Sequence, residues 1–309
     1  MQPLVSIGIP CYNAAQWIAA SVQSALDQTW PHKEIIVVDD GSTDGTLDVL
    51  RKFGAAIRVE QAAHGGANRA RNLILRAARG EWLQYVDADD YLRSEKISRQ
   101  LAEAGAPEEA DVIYSPILVE RWQEGQPLPL ETEPIDSKSD IYTQLLRWQL
   151  PQTSGALWRT AVLEEIGGWD ENPTQLCDEH DCYFRALKAG RRFVFAPTAN
   201  AVYRIWSEET RSHSNQQPVI QSRTALCEEL KQWLQARGAW TPGHEEALGR
   251  SLLEMARKLA SQDLPLACRY HAVHKREIRL DGPAAPQNYR LAYRALGFRA
   301  AELLARLTR

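Results

Sequence analysis

No stretch of the 309 residues approaches the roughly 20 uninterrupted apolar residues that a membrane-spanning helix needs, so no spanning segment is expected. Neither charge sign is in excess. With 36 basic and 40 acidic residues the net charge is −4, which gives no global attraction to nucleic acid or to an anionic membrane. Cysteine is sparse: the five thiols, Cys11, Cys177, Cys182, Cys227 and Cys268, are odd in number and lack paired spacing. That argues against a disulfide framework and fits a reducing compartment. No charged leader precedes the first strand-like segment, so no secretory signal is expected and the localisation read is cytoplasmic. A G-x-G-x-x-G turn after the first strand and a G-x-x-x-x-G-K-[ST] loop are both missing, which disfavours a dinucleotide cofactor and a P-loop hydrolase. No repeat or low-complexity tract is present.

What is present is an alternation of short apolar runs with helical periodicity. Residues 4–10 alternate and are β-branched, then break at Pro10 and deliver Cys11, Tyr12 and Asn13 into a loop. Trp17, Ile18, Val22, Ala25 and Leu26 recur at helical spacing. Residues 34–38 read as a strand buried on both faces, running into Asp39 and Asp40. Ser42, Thr43 or Asp44 can cap the next helix, whose apolar face is Leu47, Leu50 and Phe53. A third strand over 57–60 leads to the loop 64–68 and a helix over 69–79. A fourth strand stops at Asp87, Ala88, Asp89 and Asp90. This succession predicts right-handed crossovers and a parallel, doubly wound α/β sheet. Ligands of such sheets sit beyond the carboxyl ends of the strands, and here all four ends carry polar residues.

The fourth of these ends is the most telling. In an extended segment residues two apart face the same side, so Asp87 and Asp89 can meet one ligand while Ala88 turns away and leaves room. Two close carboxylates repel, and a divalent cation makes the arrangement favourable. Oxygen ligands suit Mg²⁺ or Mn²⁺, which also bind phosphate. An acidic turn after a strand is the alternative.

Residues 5–13 (VSIGIPCYN), 36–46 (IVVDDGSTDGT), 65–82 (GGANRARNLILRAARGEW) and 85–90 (YVDADD) resemble, in order and spacing, the nucleotide-sugar half of glycosyltransferase family 2. Its members are inverting enzymes with the GT-A fold, a Rossmann-like mixed sheet flanked by helices. The resemblance implies a nucleotide-diphosphate-sugar donor, most often uridine-linked, held with Mn²⁺ or Mg²⁺. It places Pro10, Tyr12 and Asn13 at the base and ribose, with Tyr12 stacking on the base. It also implies that Asp40 hydrogen-bonds the base, that Asn68 and Arg71 lie beside the nucleotide, that Asp87 and Ala88 face the ribose or sugar, and that Asp89 binds the metal. Asp39 reads better as a structural cap than as a ligand.

Beyond residue 92 the pattern loosens. A helix is expected over 94–104, strands over 111–115 and 117–122 with a turn at Glu124 and Gly125, a surface excursion over 127–136, and a helix over 141–149. Two segments resemble the acceptor side of the family: 153–158 (TSGALW), with Ser154 and Gly155, and 166–170 (IGGWD), where Trp169 would stack on a sugar. Residues 177–185 (CDEHDCYFR) resemble the acidic pair that opens a helix, with Asp181 a further acceptor contact. The family order is Glu then Asp, the second being the general base. This chain has Asp178 then Glu179, so Glu179 is read as the base and Asp178 as the reserve. Acids at a helix N-terminus are also favoured by the dipole alone. The Cys-x-x-His-x-Cys spacing there has no partner pair for zinc. In many relatives a His that helps hold the metal follows the strand-borne Tyr-Arg by two positions. Here that position is Trp206, and His213 is the candidate third contact.

From about residue 216 the composition turns helical, with apolar stripes over 220–237, 245–262, 264–279 and 288–309. The last sets five leucines against five arginines, and either rests on a membrane surface, as would suit a lipid-linked acceptor, or packs on protein or dimerises. The division expected is a GT-A domain over 1–214, with a nucleotide-sugar half 1–105 and an acceptor half 106–214, then a helical extension over 215–309. The function expected is metal-assisted inverting transfer of a sugar to a saccharide or lipid-linked hydroxyl, with no nucleic-acid partner. A binding module that has lost turnover is the rival outside catalysis. A sugar-phosphate nucleotidyltransferase would want a Gly- and base-rich loop where 10–15 has no Arg, Lys or Gly.

Overall fold

The computed structural model describes residues 2–172, 174, 176–206 and 216–307. The chain forms two compact units, Met1–Ser137 with Leu150–Glu208, and Lys138–Gln149 with Glu209–Arg309.

In the first unit, β1 (Val5–Cys11), β2 (Lys33–Asp39), β3 (Arg58–Gln61) and β4 (Trp82–Tyr85) are parallel and lie in the order β4-β1-β2-β3. Helices α1 (Ile18–Leu26), α2 (Thr46–Arg51) and α3 (Ala67–Ala77) are the crossovers. Every residue of β1 is buried, as the central strand of a sheet covered on both faces must be. Gly8 allows close approach of a helix there: a Cβ would lie 2.3 Å from Ile74 Cγ2 of α3. Val5, Ile7, Ile9, Ile18, Val22, Val37 and Leu157 belong to one continuous core.

The sheet continues past β4 through β10 (Ala156–Arg159), antiparallel to β4 and to β6 (Val112–Tyr114), and ends on β11 (Phe193–Phe195). The sheet is therefore mixed. A second sheet joins β5 (Tyr91–Leu92), β12 (Ala201–Ile205), β7 (Ile117–Gln123) and β8 (Gln126–Pro127), with β9 (Glu131–Glu133) also on β7. The surface excursion expected over 127–136 is in part a β-edge instead. Glu124 and Gly125, both at positive φ (51° and 76°), close a two-residue hairpin. Further helices are α4 (Lys96–Glu103), α6 (Thr160–Glu165) and α7 (Asp178–Lys188).

The second unit contains α5 (Ile141–Leu146), α8 (Gln216–Ala236), α9 (Pro242–Gln262), α10 (Leu264–His274) and α11 (Gln287–Leu307). Asp140 caps α5, accepting the N–H groups of Tyr142 and Thr143, and also contacts His244 Nε2 at 3.1 Å. That contact helps to place 138–149 with the C-terminal helices, whereas the sequence reading puts the segment in the acceptor half. Among the described residues no helix is long and apolar enough to cross a membrane.

Candidate active site at the strand ends

The first two loops are tied to each other. Asn13, in the left-handed region at φ 47°, accepts the Thr43 N–H at 2.8 Å through Oδ1, while its own N–H donates to Ser42 Oγ at 2.9 Å. Asp39 acts as the cap expected of it, accepting the Ser42 N–H at 3.2 Å. Asp40 is buried, and its two oxygens accept the N–H groups of Gly65 (2.9 Å) and Gly66 (2.8 Å) ahead of α3. The first role of this carboxylate here is to shape the 64–66 loop. His64 Nδ1 lies 2.9 Å from Asp40 Oδ2, and its ring stacks on Tyr12 at 4.1 Å with 25° between planes. Tyr12 remains 46% exposed, an aromatic face at the rim. Pro10 is a buried strand residue paired with Val38.

Arg71 is the hub. Though almost wholly buried, its guanidinium donates to Asp87 Oδ1 (2.8 Å), Asn68 Oδ1 (2.9 Å) and Thr153 Oγ1 (3.4 Å), and lies 3.7 Å from Asp178 Oδ2. Burial opposes its charge, but Asp87, Glu179 and Asp178 outweigh burial and drive its pKa further up. Asn68 reaches on to the Asp170 carbonyl at 2.7 Å. On the far side, Glu179 Oε1 accepts the Thr153 hydroxyl at 2.7 Å and its N–H at 3.3 Å. Asp87 on the loop after β4 and the acidic pair opening α7 thus belong to one charge network, although about 90 residues separate them.

The three aspartates after β4 have three different fates. Asp87 is paired with Arg71. Asp90 is buried, accepts the Arg204 N–H at 2.9 Å and the Ser154 hydroxyl at 3.4 Å, and is pushed well above the ordinary carboxylate range by burial and by Asp89 and Asp87. Asp89 accepts the Trp206 indole N–H at 3.0 Å, and burial raises its pKa. Among the described residues no three His, Cys, Asp or Glu side chains form a metal cage. A Mg²⁺ or Mn²⁺ ion held by one carboxylate, a diphosphate and water needs none. Asp89, on the loop after β4 with the Trp206 indole on its Oδ2, can supply that carboxylate. Ala88 is small and buried between them. His213 lies outside the described residues.

Four residues read as acceptor contacts are engaged within the protein. Trp169 is only 3% exposed, with Arg71 Cζ 4.6 Å above its ring and Tyr85 edge-on at 5.3 Å. It positions Arg71 and has no open face for a sugar. Ser154 is buried with its hydroxyl on Asp90, and Gly155 is buried where a Cβ would lie 2.4 Å from Pro151 Cβ. Asp181 is engaged by Arg185 one turn later, at 2.7 Å from both Nε and Nη2. What sequence reading missed is an aromatic group beside Asp89: Trp17 lies 5.6 Å from Trp206 and 5.4 Å from Trp122, and Trp206 is exposed. Trp122 donates to Glu120 at 2.9 Å, and Arg204 lies over both Trp17 and Tyr91. The signal available was the number of tryptophans, ten, but nothing local links these three.

A parallel-rich sheet with acids and an aromatic rim at its strand ends places the candidate site where open α/β sheets bind their ligands. Residues 6–166, just over half of the chain, match Glycosyl transferase family 2, and the chain belongs to that family. It is 43% identical over 100 residues to the UDP-Glc:alpha-D-GlcNAc-diphosphoundecaprenol beta-1,3-glucosyltransferase WfaP of Escherichia coli, covering 32% of this chain and 40% of that protein. The chain spans a third to two fifths of the length of the curated relatives it matches first. In fold it resembles the mannosyltransferase PcManGT of Pyrobaculum calidifontis in complex with GDP-Man and Mn²⁺ (TM-score 0.59, 19% identity, all of this chain and 87% of that one). It is also similar to residues 1–349 of S. aureus TarS in complex with UDP-GlcNAc (TM-score 0.58, 18% identity, 99% of this chain and 92% of that one). The fold is GT-A, with a helical C-terminal region.

Proposed function

We propose that the chain is an inverting glycosyltransferase that moves a sugar from a uridine-diphosphate sugar to a hydroxyl of a saccharide or lipid-linked acceptor, on the cytoplasmic side where its five free thiols stay reduced. The observation that carries this reading is the Arg71 network, which brings Asp87 on the donor side within one guanidinium of Asp178 and, through Thr153, of Glu179. The complexes of fold neighbours with UDP-GlcNAc and GDP-Man support the donor class, and the diphosphoundecaprenol in the relative's name supports a lipid-linked acceptor.

Tyr12 offers its free face to the base, and Asn13 holds the loop that presents it. Asp87, aligned by Arg71, orients the ribose or the sugar. Glu179 is the general base: Thr153 holds Oε1, leaving Oε2 to take the acceptor proton. Asp178 is the reserve base, with one oxygen 3.7 Å from Arg71 Nη1. As the proton passes to Glu179, the acceptor oxygen bonds to the anomeric carbon. The bond to the diphosphate breaks on the opposite face, and the nucleoside diphosphate leaves with the electron pair, inverting the centre. A Mn²⁺ or Mg²⁺ ion on Asp89, when bound, neutralises the departing diphosphate. Trp17, Trp122 and Trp206 supply the ring faces for the acceptor that Trp169 does not.

The test is a melting-point panel of nucleotide diphosphates and their sugars with Mn²⁺, followed by donor turnover by wild type, Glu179→Gln and Asp178→Asn. A ligand that binds the native state raises the melting point. Glu179→Gln should keep UDP binding and lose about 10²- to 10⁴-fold in turnover, with Asp178→Asn losing less. No shift with any nucleotide, or full turnover by Glu179→Gln, overturns the assignment. Binding without turnover by wild type makes the protein a binding module.

A further inference from the structure

Helix α11 presents apolar side chains away from the protein. Its backbone breaks at Gly297 (φ 81°), and in the turns beyond the break Phe298, Ala301 and Glu302 are buried. At 100° per residue the side opposite to these carries Ala300, Leu303, Leu304 and Leu307. The three leucines are 46%, 44% and 83% exposed. The inward face needs no help from them. Glu302 is held by Arg257 (2.9 Å) and the Tyr289 hydroxyl (2.6 Å), and Phe298 stacks on His271 at 4.4 Å. The outward leucines are therefore surplus to the fold of this unit.

The segment that carries them is predominantly basic. Residues 264–309 hold nine Lys and Arg against three acids, in a chain whose net charge is −4. All three acids are already paired, Glu277 with Lys231, Asp281 with Arg250 and Glu302 with Arg257. Arg294 and Arg299 are exposed, and among the described residues neither has an ion-pair partner. Arg306 is tied back to the Ala260 carbonyl, which anchors the helix.

From this arrangement we infer that the outward face of α11 docks on an anionic lipid surface, Leu303, Leu304 and Leu307 entering the headgroup–acyl boundary with Arg294 and Arg299 on the phosphates. A second copy of this chain is the poorer occupant, since a two-fold contact would bring like arginines together. The inference is independent of catalysis, because its assay reads binding alone.

The test is flotation of the full chain with vesicles of phosphatidylcholine, and of phosphatidylcholine with an equal part of phosphatidylglycerol, at low and high salt. Size-exclusion chromatography with light scattering runs alongside. Wild type should float with the anionic vesicles only, and salt should release it. Leu303→Glu with Leu307→Glu should abolish flotation with an unchanged melting point, since both side chains are exposed. Arg294→Ala and Arg299→Ala should each weaken it by roughly fivefold. Wild type that stays in solution overturns the proposal, as does a leucine variant that still floats. So does a wild-type dimer that the leucine variant splits, which would make this face a self-interface.

Discussion

Replacing Arg71 by Met removes the one cation shared by three carboxylates while keeping most of the side-chain volume. Arg71 is almost wholly buried, so Asp87 and Asp178 lose their counter-ion in a site from which water is largely excluded. Breaking a buried pair from one side costs about 3 to 5 kcal/mol. The Asp87 side chain is 31% exposed and can be partly hydrated, which pulls the figure to the lower end. The lost cation–π contact with Trp169 adds roughly 1 kcal/mol or less. A net loss of about 3 kcal/mol corresponds to about 6 to 12 °C in Tm for a unit of this size. The measurement is thermal and urea unfolding of wild type, Arg71→Met and Arg71→Lys between pH 5 and 8. Arg71→Lys keeps the charge but cannot span Asp87, Asn68 and Thr153 at once, so it should fall between the two. A Met variant that melts with wild type across this range would refute the idea that Arg71 is the counter-ion on which the site is assembled.

Three other outcomes are expected. Gly155→Ala drives a methyl to 2.4 Å from Pro151 Cβ and 3.0 Å from Ile117, and should cost about 1 to 3 kcal/mol in urea unfolding. Glu34 is partly buried, which works against its charge, but Ser6 (2.7 Å) and Arg79 hold its pKa below the usual carboxylate value. Its contribution is therefore present above the unfolded pKa and lost as pH falls through the folded one, so Glu34→Gln should flatten the acid limb of a Tm-against-pH curve. Trp206→Phe removes the indole N–H from Asp89, and Mn²⁺ affinity by calorimetry in the presence of UDP should rise roughly fivefold, the equivalent of about 1 kcal/mol for one hydrogen bond.

The order of β1 to β4, the crossover helices and the acidic loop after β4 are legible in the chain because each is local. Periods of 2 and 3.6 residues, and the carboxylates that end a strand, are written over a few positions at a time. The cap role of Asp39 and the turn at Glu124 and Gly125 follow for the same reason. Trp169 looked available for a sugar because a Gly-Gly-Trp-Asp run says nothing of what lies above the ring, and the structure sets Arg71 there, 98 positions away in sequence. Ser154, Gly155 and Asp181 sit in motifs of the right type, yet their neighbours Asp90, Pro151 and Arg185 take them up.

By itself, then, the sequence determined the architecture and the kinds of group at the strand ends, since periodicity and residue chemistry are properties of short stretches. Only the tertiary structure decided which of those groups face an open site. Trp17, Trp122 and Trp206 come from the start of α1, from β7 and from the end of β12, and become neighbours only once both sheets have formed. The same holds for the leucines of α11. Their spacing marks a helix, but exposure is settled by which side His271 and Arg257 cover.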